Sequence, residues 1–423
     1  MTKDFITHTP AGFKVPDHPI IPYIEGDGIG PEVWAAAQPV FNTAVHKVFG
    51  TEKRVEWQEV LAGEKAFKQT GEWLPQATKD ALQQALIGIK GPLTTPIGKG
   101  HRSINVTLRQ YFDLYACVRP VQYFKGTPSP VKKPELVDMV IFRENTEDIY
   151  AGIEYAQKDA AELKQTLVDT KQMTKVRFPD SSNYAIKPIS KEGSERFVIS
   201  AIDYALAHKR HTLTLVHKGN IMKLTEGAFK QWGYDIAEAK YGDQVFTWQQ
   251  YTTIKANDGA AAAEKALKAA KQAQKLIIND IITDNFFQQA LINPQNFEIV
   301  ATCNLNGDYM SDALSAQVGG IGIAPSGNIN YTTGQAIFES THGTAPEFVG
   351  QNKLNPSSIL LSGAMMFDYF GWGEVGKLIT EAIATAIQNK QVTWDFAQGV
   401  PDATQLSTSD FGAYLQRLIE AKA

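Results

Sequence analysis

Six short apolar runs, separated mostly by stretches with helical periodicity, constrain the fold of this 423-residue chain more than any other sequence feature. Runs of this length, bounded by glycine, proline or polar residues, are typical of buried strands, and their alternation with helices predicts the α/β class. No run approaches the roughly 18 residues that a membrane span requires. The six predicted strands are Ile20–Ile24, Ala85–Ile89, Leu136–Phe142, Leu213–Val216, Leu276–Ile278 and Glu298–Ala301.

The composition argues against several classes of protein. Hydrophobic residues make up 43% of the chain, which is too many for a disordered protein, and the length suggests two or three domains. The net charge is −4, so neither nucleic acid nor a membrane surface is expected as the main partner. Cys117 and Cys303 form no zinc or disulfide motif and indicate a reducing compartment. Met1–Pro10 lacks the features of a signal or transit peptide, and we expect a cytoplasmic protein.

A glycine-rich turn follows the first predicted strand. Its spacing, Gly26-x-Gly28-x-Gly30, differs from the G-x-G-x-x-G fingerprint of the Rossmann fold. A tight turn from strand to helix is therefore a better interpretation than a phosphate-binding loop, and Pro31 suits the first turn of the helix that follows. If a dinucleotide binds, we do not expect it in a Rossmann unit.

Four arginines, together with Ser103 and Asn105, lie near the ends of predicted elements. Arginine pairs bidentately with carboxylates, and serine and asparagine add neutral hydrogen bonds, so the set suggests a site for a polycarboxylate. Taken alone, four unrelated surface arginines remain the more economical interpretation. The arginines are Arg102, Arg109, Arg119 and Arg143.

Two pairs of aspartates have helical spacing. Asp308 and Asp312 are four residues apart and share a face if the segment is a helix, and Asp280 and Asp284 have the same spacing. Carboxylates on one face repel each other unless a cation lies between them, and oxygen ligands suit Mg²⁺ or Mn²⁺. Such pairs also occur on ordinary solvated helices.

Three further residues are candidates for proton transfer or ligand binding. Lys218 follows a buried strand, where burial and neighbouring charges can tune it as an acid or base. Tyr150 lies among acidic residues, and His342 lies in a Gly-rich polar loop. The alternatives are a solvated loop lysine, a packed tyrosine and a structural histidine.

In this order and spacing, the motifs from Gly26 to Asp410 resemble the β-decarboxylating dehydrogenases, and within that family the bacterial isocitrate dehydrogenases. Each motif is weak alone, but the series is specific. The motifs are Ser103-x-Asn105-x-x-x-Arg109, Arg119-Pro120, Phe142-Arg143-Glu144-Asn145, Asp148-Ile149-Tyr150-Ala151-Gly152, Lys218-Gly219-Asn220-Ile221-Met222-Lys223, Asn304-Leu305-Asn306-Gly307-Asp308-Tyr309-x-Ser311-Asp312 and Thr341-His342-Gly343-Thr344-Ala345-Pro346.

The resemblance implies a fold that is not a Rossmann fold, with two α/β domains and an inserted clasp that helps to form a homodimer. The large domain would comprise residues 1–115 and 319–423, and the small domain residues 116–148 and 191–318. Residues 149–190 would form the clasp. The polar segment Asp159–Ser190 agrees with an inserted hairpin or interface element.

The resemblance also implies roles for the candidate site residues in the oxidative decarboxylation of isocitrate, a reaction of the tricarboxylic acid cycle. Tyr150 and Lys218 would move protons. Lys218 and Asp284 would come from the partner subunit, and Asp280 would support the metal ligands. Substrate carboxylates would bind Ser103, Asn105, Arg109, Arg119 and Arg143, and Mg²⁺ or Mn²⁺ would bind Asp284, Asp308 and Asp312.

Polar Ser103 and Asn105 favour a tricarboxylate over the branched alkyl group of isopropylmalate. Homoisocitrate- and tartrate-type substrates are disfavoured less firmly. A protein of another class, which kept the fold and lost the chemistry, is opposed by the intact Tyr150, Lys218 and aspartates.

The coenzyme is expected to be NAD. NADP carries an extra ribose phosphate, and NADP-using relatives have cationic or hydroxyl side chains at five positions where this chain has Asn293, Glu347, Phe348, Trp394 and Gln398. An acidic residue such as Glu347 can accept a hydrogen bond from the free 2′-hydroxyl of NAD. The alternative is NADP, with Lys353 or another cation binding the phosphate. The resemblance places coenzyme contacts at Thr95, Asn220, Gln288, Gln289, His342, Gly343, Glu347, Phe348, Leu354, Asn355 and Trp394.

Overall fold

The structure is a computed structural model that describes residues 4–94 and 103–422. Its α-helices, numbered in chain order, are α1 (Gly30–Phe49), α2 (Gly63–Thr70), α3 (Gln76–Ala85), α4 (Ile104–Tyr111), α5 (Ala161–Asp169), α6 (Lys191–Ala207), α7 (Glu226–Tyr241), α8 (Trp248–Asp258), α9 (Ala260–Gln272), α10 (Thr283–Ile292), α11 (Asn304–Gln317), α12 (Ser357–Tyr369), α13 (Gly373–Gln388), α14 (Trp394–Ala397) and α15 (Thr408–Ala421).

The strands, also in chain order, are β1 (Thr7–Thr9), β2 (Gly12–Lys14), β3 (Ile20–Ile24), β4 (Glu56–Glu59), β5 (Ile87–Lys90), β6 (Ala116–Gln122), β7 (Asp138–Glu144), β8 (Ile153–Tyr155), β9 (Tyr184–Ile186), β10 (Thr212–His217), β11 (Val245–Thr247), β12 (Leu276–Ile282), β13 (Ile299–Thr302), β14 (Pro325–Ile329), β15 (Ala336–Ser340), β16 (Gln391–Val392) and β17 (Thr404–Gln405).

Eleven of these strands form one sheet in the order β11-β12-β10-β13-β7-β6-β14-β15-β5-β3-β4. The five strands from β11 to β7 are parallel, and so are the four from β15 to β4. Antiparallel pairings of β6 with β7 and of β14 with β6 and β15 join the two parallel ends. The α/β class is confirmed, and the two predicted domains would correspond to the two ends of this sheet.

Successive side chains of each strand point to opposite faces of the sheet. Apolar side chains on both faces are covered by helices. In β7, Val140 and Phe142 belong to the large core that also contains residues of α6 and α7. Met139 and Ile141 point the other way, into a second core with residues of α10 and α11. At the opposite end, α1, α12, α13 and α15 pack together on one face.

All six predicted strands lie in the large sheet; Ile20–Ile24 has the predicted ends, and the other five have shifted ends. The largest difference is at the second run, where Ala85 ends α3 and β5 begins at Ile87. Leu86, between them, has a positive φ of 68°, which breaks the helix before the strand starts.

The turn between β3 and α1 has the form that the sequence predicts. Gly26 and Gly28 have φ values of 93° and 59°, which favour glycine. A Cβ at Gly28 would also collide with the backbone oxygen of Thr344. This turn therefore packs directly against the loop that contains His342.

Residues 149–190 form β8, α5 and β9, with β8 and β9 paired as a short antiparallel sheet. The antiparallel pair agrees with an inserted hairpin, although β8 lies before the predicted segment Asp159–Ser190. The role of this region as a dimer clasp stays a prediction. Among the described residues, no helix is long and apolar enough to cross a membrane.

Candidate active site

A pocket of about 300 Å³ lies at the middle of the large sheet. Strands β5, β6, β7 and β15 contribute Lys90, Arg119, Arg143 and Glu339, respectively, to its wall. Ser103 precedes α4, which adds Asn105 and Arg109. Tyr150, Asp308 and His342 also line the pocket.

Three of the four arginines converge in this pocket. Arg109, Arg119 and Arg143 are 9%, 7% and 1% exposed, so the alternative of unrelated surface arginines is wrong for these three. Burial lowers the pKa of Arg143, and the charges of the other two arginines lower it further. Within the described residues, Arg109 Nε and Arg119 Nε have no hydrogen-bond partner. Buried, mutually repelling cations with free donors predict an anionic ligand. Arg102 lies outside the described residues.

Lys90 and Glu339 are pocket residues that the sequence analysis missed. Glu339 pairs with Lys90 at 2.6 Å and with Arg109 at 2.8 Å, and it accepts a hydrogen bond from Asn328. Burial opposes the charge of Glu339, but the two cations outweigh burial and hold its pKa well below the usual range. Glu339 therefore orients Arg109. Its position three residues before His342 is the only sequence signal that points to it.

Tyr150, Asp308 and Arg143 form a connected group on one wall. Tyr150 donates a hydrogen bond from its hydroxyl to Asp308 Oδ2, and Arg143 Nη1 donates to Asp308 Oδ1. A Cβ at Gly307 would lie 2.6 Å from Arg143 Cβ, so only glycine lets α11 approach β7 this closely. Burial and the Asp308 hydrogen bond raise the pKa of Tyr150, which keeps the phenol protonated at neutral pH.

Asp308 and Asp312 share one face of α11, as predicted from their spacing. Burial opposes ionisation of Asp308, but the charge of Arg143, the hydrogen bond from Tyr150 and the charges of the other two arginines together outweigh burial and lower the pKa of this carboxyl. Asp312 lies 3.5 Å from Arg119. Two carboxylates on one face fit a divalent cation in chemistry, but they are not enough ligands alone. Across the described residues of this single chain, no three His, Cys, Asp or Glu side chains cluster as a metal site.

Lys218 and Asp284 form an ion pair outside the pocket. Lys218 follows β10 and Asp284 begins α10, so both lie at the carboxyl ends of neighbouring parallel strands. Large apolar side chains lie exposed on the same two segments, among them Leu224 at 89% and Ile292 at 61%. The structure thus divides the predicted site residues into two groups, and the second group is bordered by apolar surface.

The predicted pairing of Asp280 with Asp284 on one helix face is wrong. Asp280 lies in β12, where its carboxylate accepts a 2.5 Å hydrogen bond from the Tyr234 hydroxyl and lies 2.9 Å from His217 Nε2. Gly219 donates its backbone N–H to His217 Nδ1, so the proton of this ring is on Nε2. Asp280 therefore supports the segment beside Lys218 and does not share a helix face with Asp284.

The predicted coenzyme contacts also fall into two groups. His342, Gly343, Glu347, Phe348, Leu354, Asn355 and Trp394 follow β15 or lie near it in the fold, whereas Asn220, Gln288 and Gln289 accompany Lys218 and Asp284. Thr95 lies outside the described residues. Lys353 Nζ lies 4.7 Å from the ring centre of Phe348 and 4.5 Å from that of Trp394, so a cation is present between two of the predicted contacts.

Comparisons with known proteins agree with this geometry. Residues 20–415 match the family model described as isocitrate/isopropylmalate dehydrogenase. The chain is 58% identical over 414 residues to a Staphylococcus aureus protein named isocitrate dehydrogenase [NADP], covering 97% of this chain and 98% of that protein. A similarly named Streptococcus mutans protein is 54% identical over 405 residues, covering 95% and 96% of the two chains.

Among solved structures, isocitrate dehydrogenase from Methylococcus capsulatus is similar, with a TM-score of 0.75 and 32% identity. The match covers 95% of this chain and 99% of that one. The relatives' names do not support the expectation of NAD, because they specify NADP. A family match over nearly the whole chain, together with the convergent arginines, shows that the chain belongs to the isocitrate/isopropylmalate dehydrogenase family.

Proposed function

We propose that this protein catalyses the oxidative decarboxylation of isocitrate to 2-oxoglutarate and carbon dioxide, with reduction of a nicotinamide dinucleotide. The observation that carries the proposal is the convergence of buried Arg109, Arg119 and Arg143 beside the Tyr150–Asp308 hydrogen bond. Isopropylmalate needs an apolar pocket for its alkyl group, and these charged and polar side chains do not form one.

The charges of the site support a tricarboxylate. Lys90 and the three arginines face Asp308, Asp312 and Glu339, which leaves one positive charge. A divalent cation would bring the net charge to three, which matches the three carboxylates of isocitrate. Burial lowers the pKa of His342 and keeps its ring neutral, so it does not change this balance.

A second copy of the chain would complete the site. Lys218 and Asp284 lie outside the pocket of their own chain and are bordered by exposed Ile221, Leu224 and Ile292. A homodimer that buries this apolar surface would bring Lys218 and Asp284 of one copy to the Asp308 and Asp312 of the other. The site would then have three aspartate ligands.

The side chains of this chain would divide the proton transfers between them. Arg109, Arg119 and Arg143 hold the carboxylates, and Lys218 of the second copy assists loss of the substrate hydroxyl proton. Tyr150, which is protonated at neutral pH, delivers a proton to the carbon that loses carbon dioxide. A cation held by Asp284, Asp308 and Asp312 would supply Lewis-acid stabilisation of negative charge on the substrate oxygen.

NADP is the first candidate for the coenzyme, because relatives that are 52–58% identical carry it in their names. Lys353 contacts the rings of both Phe348 and Trp394, and its ammonium could pair with a ribose phosphate bound there. NAD is the second candidate. The observation that favours it is Glu347, which is exposed and would repel a phosphate.

The experiment follows nicotinamide absorbance with isocitrate, isopropylmalate, homoisocitrate and tartrate, with and without Mg²⁺, using NADP and NAD in parallel. We expect metal-dependent activity with isocitrate, and kcat/KM for the two coenzymes identifies the physiological one. Folded protein that shows no activity with any of the four acids would support the alternative of a binding protein that has lost the chemistry.

The domain division and the cytoplasmic location stay proposals.

A further inference from the structure

Two buried carboxylates and one partly buried lysine, from separate parts of the chain, form a charge cluster that includes the first residue of the turn containing Tyr150. Lys187 Nζ lies 2.7 Å from Asp148 Oδ1 and 2.8 Å from Glu226 Oε1. The side chains of Asp148 and Glu226 are 1% and 0% exposed, and that of Lys187 is 17% exposed. Burial opposes the charge of Lys187, but the two carboxylates outweigh burial and raise its pKa. Charges as deeply buried as those of Asp148 and Glu226 persist only when they are paired, so both carboxylates depend on the Lys187 ammonium.

Asp148 connects the cluster to the two segments that make the Tyr150–Asp308 contact. It is the first residue of the 3-10 turn Asp148–Ala151, which contains Tyr150. Its Oδ2 accepts a 3.0 Å hydrogen bond from the backbone N–H of Leu305, in the first turn of α11. Asp148 also has a φ of 68°, a conformation that a residue with a Cβ keeps only when its surroundings enforce it.

Glu226 connects the same cluster to the second group of site residues. Its Oε2 accepts a 2.5 Å hydrogen bond from the backbone N–H of Lys218 and a 3.0 Å bond from Asn306 Nδ2. Asn306 follows Leu305 in α11. One ammonium group therefore joins the turn of Tyr150, the helix of Asp308 and the loop of Lys218.

We propose that Lys187 is a positioning residue that sets Tyr150, the first turn of α11 and Lys218 relative to one another through Asp148 and Glu226. This inference rests on the proposed function for its effect on catalysis. In a homodimer with shared sites, Lys218 would serve the other copy, so the cluster would link the two active sites.

The main variant is Lys187→Met, which keeps an unbranched side chain of similar length and removes its charge. Because a displacement of about 1 Å at a reacting group can cost about a hundredfold in rate, we expect kcat with isocitrate to fall at least tenfold. We expect KM for isocitrate to change less than threefold, since Arg109 and Arg119 have other partners, Glu339 and Ser311. Lys187→Arg, which retains the cation, should recover most of the lost kcat.

The matched control is Lys65→Met. Lys65 also pairs with two carboxylates, Glu25 and Glu59, but lies in α2, away from the cluster. Its kcat should stay within twofold of the unmodified protein. If Lys187→Met does not fold, the double variant Lys187→Met/Glu226→Gln removes one charge of each sign. That variant should fold and still show the low kcat, because the ammonium link is absent.

Hydrogen exchange of backbone amides gives a readout that does not depend on activity. In Lys187→Met, peptides that cover residues 145–152, 217–222 and 304–309 should exchange at least tenfold faster, while peptides of α12 and α13 stay unchanged. Unchanged exchange in the three segments would overturn the proposal. So would a loss of kcat/KM that comes from a higher KM while kcat stays unchanged. If exchange accelerates as expected but the unmodified protein is inactive with isocitrate, the positioning role stands and the proposed function is wrong.

Discussion

The hydroxyl of Tyr150 lies 2.7 Å from Asp308 Oδ2 and donates a hydrogen bond to it. The contact joins a candidate proton donor to a candidate metal ligand, although the two residues are 158 positions apart. Arg143 binds the other oxygen of the same carboxylate. Asp308 is thereby held between a proton donor and a cation, which orders the site before a substrate binds.

Removing the Tyr150 hydroxyl should mainly slow the step after carbon dioxide leaves. General acids contribute about 10²–10⁴-fold in rate, so we expect Tyr150→Phe to lose roughly a hundredfold or more in kcat. In a single turnover, coenzyme reduction should be less affected than formation of 2-oxoglutarate. Tyr414→Phe, near the C-terminus, is the control. Near-normal turnover by Tyr150→Phe would remove Tyr150 from the proton-transfer role.

Sharing of sites between two copies can be tested by mixing variants. Lys218→Met and Tyr150→Phe should each be nearly inactive as homodimers, since every site lacks one of the two groups. A mixed dimer would contain one site with both residues intact, so about half of the activity per dimer should return. The measurement is kcat of purified heterodimers that carry two different affinity tags. Heterodimers as inactive as their parents would argue against sharing.

Asp308→Asn should weaken metal binding. A neutral amide is a poorer ligand for Mg²⁺ than a carboxylate, so we expect the Mg²⁺ concentration for half-maximal activity to rise about tenfold or more. Binding of Mn²⁺, followed by electron paramagnetic resonance without coenzyme, should weaken in parallel. The control Asp235→Asn changes an exposed aspartate of α7. Equal Mn²⁺ affinity in Asp308→Asn and the unmodified protein would exclude Asp308 as a ligand.

Glu347→Lys should shift the coenzyme preference toward NADP. A unit charge 5–10 Å from a phosphate charge is worth roughly 1–3 kcal/mol at an effective dielectric constant near 20, before salt screening. Because each 1.36 kcal/mol is tenfold, we expect the ratio of kcat/KM for NADP to that for NAD to rise at least tenfold. Glu347→Gln, which only removes the charge, should give a smaller shift. An unchanged ratio in both variants would place the ribose away from Glu347.

Glu144→Gln should change the pH dependence of stability. Burial raises the pKa of Glu144 from its ordinary 4.5 to about 7, despite hydrogen bonds from Thr146 and Glu147 that lower it. Between these two values the folded protein keeps a proton that the unfolded chain has lost, so this carboxyl makes stability fall as pH rises. The shift corresponds to roughly 3 kcal/mol.

Urea unfolding at pH 5, 6, 7 and 8 checks this expectation. Relative to the unmodified protein, Glu144→Gln should lose less stability as the pH rises through this range. Glu135→Gln, in the 3-10 turn before β7 and exposed, should follow the unmodified protein. Parallel pH profiles for Glu144→Gln and the unmodified protein would mean that Glu144 titrates near its ordinary pKa.

Features that depend on neighbouring residues in the chain could be predicted from the sequence. The six apolar runs form strands because short runs of apolar side chains, bounded by turn residues, are stabilised by burial in a sheet. The turn at Gly26 and Gly28 followed from the backbone conformations that only glycine adopts freely. Asp308 and Asp312 share a face because helical spacing alone places them there.

Strand β6 was not predicted, because Arg119 and Pro120 interrupt its apolar pattern. The tertiary structure accommodates both residues. Strand β14 pairs with β6 only from Ala116 to Val118, so the missing N–H of Pro120 lies beyond that pairing. Arg119 is buried because it faces the pocket, where Ser311 accepts a 2.6 Å hydrogen bond from it.

The sequence by itself determined the α/β class, the family and most of the candidate site residues, because these follow from local periodicity and from motifs in a fixed order. Only the tertiary structure decided which charges meet. Lys90 and Glu339 pair because β5 and β15 are neighbours in the sheet, and Lys187 meets Asp148 and Glu226 although each lies about 40 residues away. A buried charge must pair with a group that tertiary packing brings within about 3 Å. The spacing of residues along the chain does not show which group that is.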